Sequence, residues 1–303
     1  MRPTAIRIAV IGDVHDQWDD TDGTILKQLN VHLALFVGDF GNESVDVVRR
    51  IARLDLPKAV VLGNHDAWYT ATDWGRRKCP YDRTQEDRFQ QQLDLFGSDR
   101  VGYGLRDFPE LGVSVIGGRP CSWGGPTWKY TDFYQTWFGV SSFEESTQRI
   151  VESAKRATCN TLIFLGHNGP TGLGDAAEDP CGRDWNPLGG DFGDRDFAEA
   201  IATIRGDGKS IPLVTFGHMH HRLRHTKTRL RRSVCFDDAG TLYLNVASVP
   251  RVMEIDRRIA RNFSIVTLEN GCVTDAALCW VDDDSQTLQE IPYFDRADEE
   301  LTG

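Results

Sequence analysis

The chain has 303 residues, 40 % hydrophobic and 26 % charged, enough to bury a substantial core and ordinary for a soluble globular fold. A formal charge of −11 excludes a chain-wide footprint for nucleic acid or an anionic membrane, because phosphates would be repelled at long range. No apolar run approaches the ~20 residues of a membrane span.

The opening "MRPTAIRIAV" runs straight into a strand pattern and leaves no room for a targeting segment. Apolar runs ending in glycine then recur: "IRIAVIG" (6–12), "LALFVG" (33–38), "KAVVLG" (58–63), "VSVIGG" (113–118), "TLIFLG" (161–166) and "IPLVTFG" (211–217). Such runs predict strands buried on both faces. Between the second and third, "NESVDVVRRIARLDL" (42–56) predicts a helix with Val45, Val48, Ile51 and Ala52 on one face. The alternation gives βαβ units with parallel strands.

Residues 67–110 read as a cap-like insertion with an amphipathic helix around "QEDRFQQQLDLFG" (85–97). Residues 119–160 read as a second, aromatic-rich and then helical from Ser142, with Glu145 three positions on as a capping box. The stretch 168–195 holds seven glycines and three prolines among 28 residues, a long loop of the kind that forms functional lids or disordered segments. "HRLRHTKTRLRR" (221–232) is a local basic patch and reads as a solvated loop. "GTLYLNVASV" (240–249), "NFSIVTLENG" (262–271) and "CVTDAALCWV" (272–281) predict an antiparallel meander with "ENG" as a hairpin turn. Seven scattered cysteines with no two-residue gap between any pair suit a reducing, cytoplasmic compartment without disulfides. Nothing marks a domain boundary, so a single α/β domain over 1–303 is expected, two mixed sheets face to face with helices outside.

The chemistry lies in the residues just after the strands. "GDVHD" supplies Asp13 and His15, "GDFGN" Asp39, "GNHD" Asn64, His65 and Asp66, "GHN" His167, and "GHMHH" His218 and His220. Five of the eight histidines, His15, His65, His167, His218 and His220, fall on these positions. Side chains two apart on extended backbone point the same way, so each pair can aim two ligands into one space. Parallel strands bring their C-terminal ends to a common rim. Imidazoles buried there need a partner, and divalent metal supplies one.

These stretches resemble the calcineurin-like metallophosphoesterase superfamily, whose five motifs are all present over residues 11–221. "GDVHDQWD", "GNHDAWY", "HNGPTG" and "FGHMHH" look most like a branch found in cyanobacteria and plants, a likeness that does not fix the substrate. The resemblance implies a four-layer α/β/β/α sandwich and a phosphoester hydrolase with two divalent ions. Asp13, His15 and His220 would hold the first ion and Asn64, His167 and His218 the second, with Asp39 bridging. His65 would protonate the leaving group, oriented by Asp66. Two such ions polarise phosphate and acidify a bridging water to hydroxide. The mixed N/O donor set suits Mn, Fe, Co or Zn better than Mg or Ca, with Mn expected to serve in vitro.

Around the site, Arg119, Arg183 and Arg251 could clamp phosphate, or serve as surface or loop-anchoring ion pairs. Asn168 could touch substrate or merely form the "NGP" turn. Trp18, Trp68, Tyr69, Trp74, Trp123, Trp128, Tyr130, Tyr134 and Trp137 suit either a ring-stacking pocket or the small cores of inserted caps. Protein Ser/Thr phosphatases of the superfamily carry Asp-Arg-Gly after the bridging Asp and Glu after "GNH". Here "GDFGNE" and "GNHD" depart from both, and a nuclease would want a basic track. A small phosphorylated molecule, monoester or diester, is the expected substrate. A silent scaffold would lack part of the ligand set.

Overall fold

The structure is a computed structural model that describes residues 3–226 and 229–295. Met1, Arg2, the Lys227–Thr228 part of the basic stretch, and residues 296–303 of the expected domain lie outside the described residues.

In chain order, β1 (Ala5–Ile11), α1 (Asp20–Gln28), β2 (Leu33–Phe36), α2 (Val45–Ala52) and β3 (Lys58–Val60) form the expected βαβαβ start. Helices α3 (Trp68–Ala71), α4 (Asp73–Lys78) and α5 (Arg88–Phe96) precede β4 (Leu105–Phe108) and β5 (Val113–Gly117). Helices α6 (Thr131–Phe138) and α7 (Phe143–Lys155) lead to β6 (Thr161–Leu165), α8 (Arg195–Gly206) and β7 (Ser210–Phe216). The remainder is strand: β8 (Val234–Phe236), β9 (Leu242–Asn245), β10 (Val252–Ile255), β11 (Arg258–Glu269), β12 (Cys272–Asp282) and β13 (Thr287–Asp295).

One sheet has the order β13-β12-β11-β1-β2-β3, with β10 paired to β11; the other has β4-β5-β6-β7-β9-β8. Alternate residues of the same strands feed different layers, as the period of two requires. Ile8 and Val10 of β1 join Val115, Ile163 and Leu213 in the core between the sheets. Ala9 and Ile11 face outward, into a core shared with Ile25, Val48, Phe89 and Tyr134 of the helical layer. On the far side, Phe164 and Val214 pack with Ile150, Phe197 and Ile201 of α7 and α8. The four-layer α/β/β/α sandwich is therefore present.

The departures have local causes. Helix α2 buries Val47, Val48 and Ile51, leaving Val45 half-buried, a face turned slightly from the expected one. The run 240–249 does not join the meander, because β9 pairs parallel to β7, with Leu213 opposite Leu242 and Thr215 opposite Leu244. All four of its residues are buried, the pattern of an inner strand rather than of a half-exposed meander. Strands β11 and β12 do form the hairpin, and Asn270 (φ 50°) and Gly271 (φ 79°) give the paired positive angles of its tight turn.

Helix α7 starts as expected, the Ser142 side chain accepting from the Glu145 amide. The Glu145 carboxylate accepts from the Ser141 amide, one residue outside the usual reciprocal bond. The two aromatic-rich segments fold onto each other: Phe89 of α5 meets Phe133 and Trp137 of α6 edge-on. Trp18, Trp128, Tyr130, Tyr134 and Trp137 pack in or against that core, the reading in which inserted segments need their own packing.

Candidate metal centre

Five strand ends, from both sheets, reach one rim. Asp13 follows β1, Asp39 β2, Asn64 β3, His167 β6, and His218 and His220 β7. Glycine lets the backbones come this close. A Cβ on Gly63 would collide with Asp39 Oδ1 and sit 2.6 Å from His167 Cε1, and one on Gly217 would collide with Asp13 Oδ1.

The side chains form two linked groups. His220 Nε2 lies 3.2 Å from Asp13 Oδ2 and 3.2 Å from His15 Nε2. His167 Nε2 lies 2.9 Å from Asn64 Oδ1, and its ring centroid is 5.0 Å from that of His218. Asp39 reaches both groups, with Oδ2 3.9 Å from His15 Nε2 and Oδ1 3.4 Å from His167 Nε2. The potential donor atoms of Asp13, His15 and His220 lie within 4.8 Å of one another, as do those of Asp39, His167 and His218.

Strand alternation is not what pairs the ligands. His15 (φ 44°) and His218 (φ 65°) sit in the left-handed region, as does Asp39 (φ 54°). Turns, not extended backbone, aim these side chains together. Such angles cost about 1–3 kcal/mol each and persist only where the surroundings over-determine them.

The donor set fits divalent metal. Asp13 Oδ2 is buried without a well-formed hydrogen bond. His15 and His220 point ring nitrogens at each other, an arrangement a cation between them would satisfy. His167 Nδ1 lies 2.7 Å from the Val37 carbonyl, which fixes a proton there and leaves Nε2 as a lone-pair donor. Burial, and then the neighbouring His167, push His218 down to about 3, so it stands as the neutral imidazole a metal needs.

His65 lies at the edge of the cluster, its ring 5.0 Å from His15 and stacked on Trp68 at 4.8 Å and 11°. Asp66 does not orient it. The Asp66 carboxylate is fully buried and accepts from the amides of Asp39 (2.9 Å), Phe40 (2.8 Å) and Gly63 (2.7 Å). It ties the ends of β2 and β3 together, against burial and the nearby Asp39 charge, which raise its pKa well above the usual range. The group that holds His65 is Asn42, whose Oδ1 is 2.6 Å from His65 Nδ1. Asn42 is the last letter of "GDFGN", three positions after Asp39, but a carboxamide in a turn carries no mark of that partner.

The four expected substrate contacts are committed elsewhere. Arg119 is buried in ion pairs with Asp194 (2.7 Å) and Asp196 (3.1 Å), its guanidinium 5.0 Å from the Trp128 ring centre. Arg251 is 1 % exposed and pairs with Asp22 at 2.8 Å. Arg183 donates to the Gly189 carbonyl within its own loop. Asn168 is buried and donates to the Phe192 carbonyl. A short polar loop after a strand end shows which residues are near a site, not which way they turn. Arg119→Ala leaves two buried carboxylates unpaired, so urea unfolding is expected to show a loss of about 3–5 kcal/mol.

Above the cluster opens a cleft of about 380 Å3, walled by Trp68, Trp123 and Trp185 and by Lys129, Arg222 and Arg224. Arg231 sits behind it, donating to the carbonyls of His220, Ala177, Asp179 and Gly182 and so fastening the Gly/Pro-rich loop to the last ligand segment. The basic stretch after "GHMHH" thus reaches the site through Arg222, Arg224 and Arg231. No helix among the described residues is long and apolar enough to cross a membrane.

No curated protein matches the chain in sequence. Among solved structures, one chain is 10 % identical with a TM-score of 0.50, the match covering 96 % of this chain and 100 % of that one. TT1561 of Thermus thermophilus is 12 % identical at 0.48, covering 96 % and 100 %. A dimetal phosphatase from Danio rerio is 13 % identical at 0.48, covering 95 % and 99 %. The first of these likenesses, at 10 % identity, is one of fold alone. The sequence profile described as calcineurin-like phosphoesterase matches residues 6–222, the span that carries every one of the clustered side chains. The chain belongs to the calcineurin-like phosphoesterase family and is a metal-dependent phosphoester hydrolase.

Proposed function

We propose that the protein hydrolyses a phosphoester of a small molecule with two divalent ions, one held by Asp13, His15 and His220, the other by Asn64, His167 and His218. Asp39 is the shared ligand. One observation carries this reading: a single buried carboxylate within 3.9 Å of His15 Nε2 and 3.4 Å of His167 Nε2 joins two otherwise separate donor groups. Ions held there supply Lewis acidity toward the phosphoryl group and toward water. Manganese, iron, cobalt or zinc suits the mixed donors, and manganese is the choice for assay.

The chain's own groups do the rest. Asp39 offsets charge between the two groups, and Asn64 adds a neutral oxygen beside an anionic substrate. His65, held at Nδ1 by Asn42, presents Nε2 to protonate the leaving oxygen. Burial lowers its pKa from the ordinary value, with the Asp39 charge pulling the other way and favouring the protonated ring. The cleft volume suits a substrate of metabolite size. We read residues 1–303 as one domain with insertions at 67–110 and 119–160, in the branch found in cyanobacteria and plants. The seven cysteines are all free, which supports a cytoplasmic setting. A protein phosphatase lacks its Asp-Arg-Gly here, and a scaffold would not keep all seven ligands.

EDTA is expected to abolish turnover of p-nitrophenyl phosphate or of its bis ester, and added Mn²⁺ to restore it. Turnover unaffected by EDTA, or none with any of the four metals, would overturn the proposal.

A further inference from the structure

Resting on that reading, we infer that the substrate carries a second anionic group besides the scissile phosphate, received by Arg222 and Arg224. Both residues line the cleft, and neither guanidinium makes a hydrogen bond or ion pair among the described residues. Most other arginines in this acidic chain are paired or committed to carbonyls. The cleft has two carboxylates, Asp39 and Asp184. Asp39 lies within the ligand cluster. Asp184 accepts from the Arg224 backbone amide at 3.0 Å and lies 3.5 Å from the Arg231 guanidinium. No anion in the cleft is therefore left for the two arginine heads.

Their backbones are anchored. Arg222 forms a β-bridge with Leu230, Arg224 is held by Asp184, and Arg231 ties the whole turn to the His220 carbonyl. Two exposed, unpaired guanidiniums carried on anchored backbone form an anion receptor, since each planar fork can donate to phosphate or carboxylate in bidentate fashion. The ligand is a small molecule rather than a polymer, because the chain carries a net charge of −11 and the arginines next along the stretch, Arg229 and Arg232, are paired with Glu178 and Asp179. Trp68, Trp123 and Trp185 also line the cleft and supply aromatic surface for the organic part between the two anions.

The test compares adenosine 5′-monophosphate with adenosine 3′,5′-bisphosphate, which share a ring and differ by one phosphoryl group. With Mn²⁺, the wild-type protein is expected to show a KM about tenfold lower for the bisphosphate, the factor a charge-assisted hydrogen bond contributes. In the R222Q/R224Q double variant this ratio falls to about one, with p-nitrophenyl phosphate affected far less than the bisphosphate. A wild-type ratio of one, or a ratio that survives the double substitution, overturns the inference. Failure of the wild type to hydrolyse either p-nitrophenyl phosphate or its bis ester with any of the four metals sinks the phosphoesterase reading instead, so the two failures are distinguishable.

Discussion

Asp39→Ala is expected to remove both metals and all measurable turnover in one step. Asp39 is buried, and its two oxygens face opposite donor groups, so no neighbour can take its place. Its Oδ1 also accepts from the His65 amide at 2.8 Å, and its carbonyl accepts from the His15 amide at 2.8 Å. Removing the carboxylate leaves two cations facing each other without a screen. Metal affinity should fall by more than the ~10–100-fold lost with an outer hydrogen-bond partner. Equilibrium dialysis with Mn²⁺, on protein shown by circular dichroism to be folded, checks the result. An Asp39 variant that keeps two ions, or turns over, refutes the shared-ligand role.

His65→Ala is expected to give the complementary phenotype: full metal content with turnover reduced roughly 10²–10⁴-fold. Its side chain makes no part of either donor group proposed for the ions, but it lies at their edge with Asn42 behind it. The loss should depend on the leaving group. A nitrophenolate departs without a proton, whereas an alkoxide needs one, so alkyl phosphates should lose more than p-nitrophenyl phosphate. Paired kcat measurements on the two ester types decide this. An equal loss for both would assign His65 to phosphate binding rather than proton delivery.

The side chains that converge at the rim were legible because their chemistry is repeated: a glycine, then a carboxylate, carboxamide or imidazole, at the end of five apolar runs. Burial on both faces marked β1, β2, β5, β6 and β7 for the same reason. The illegible part depends on direction. Asp66 looks like a partner for the adjacent His65, yet its carboxylate turns back to three amides. Arg119 and Arg251 look like phosphate clamps, yet long side chains from strand ends found buried aspartates. Strand β9 reads in sequence like β11 and β12, and only its pairing with β7 assigns it to the other sheet. Arg222 and Arg224 are exposed, as a solvated loop requires, but they also line the cleft, and an arginine facing open water and one facing a cleft leave the same trace in sequence.

Anomalous diffraction from crystals soaked in Mn²⁺ tests the metal cage most directly. Two peaks roughly 3.5–4 Å apart, one against Asp13, His15 and His220, the other against Asn64, His167 and His218, with Asp39 on both, are the expected result. A single peak, or peaks held by other residues, would contradict it.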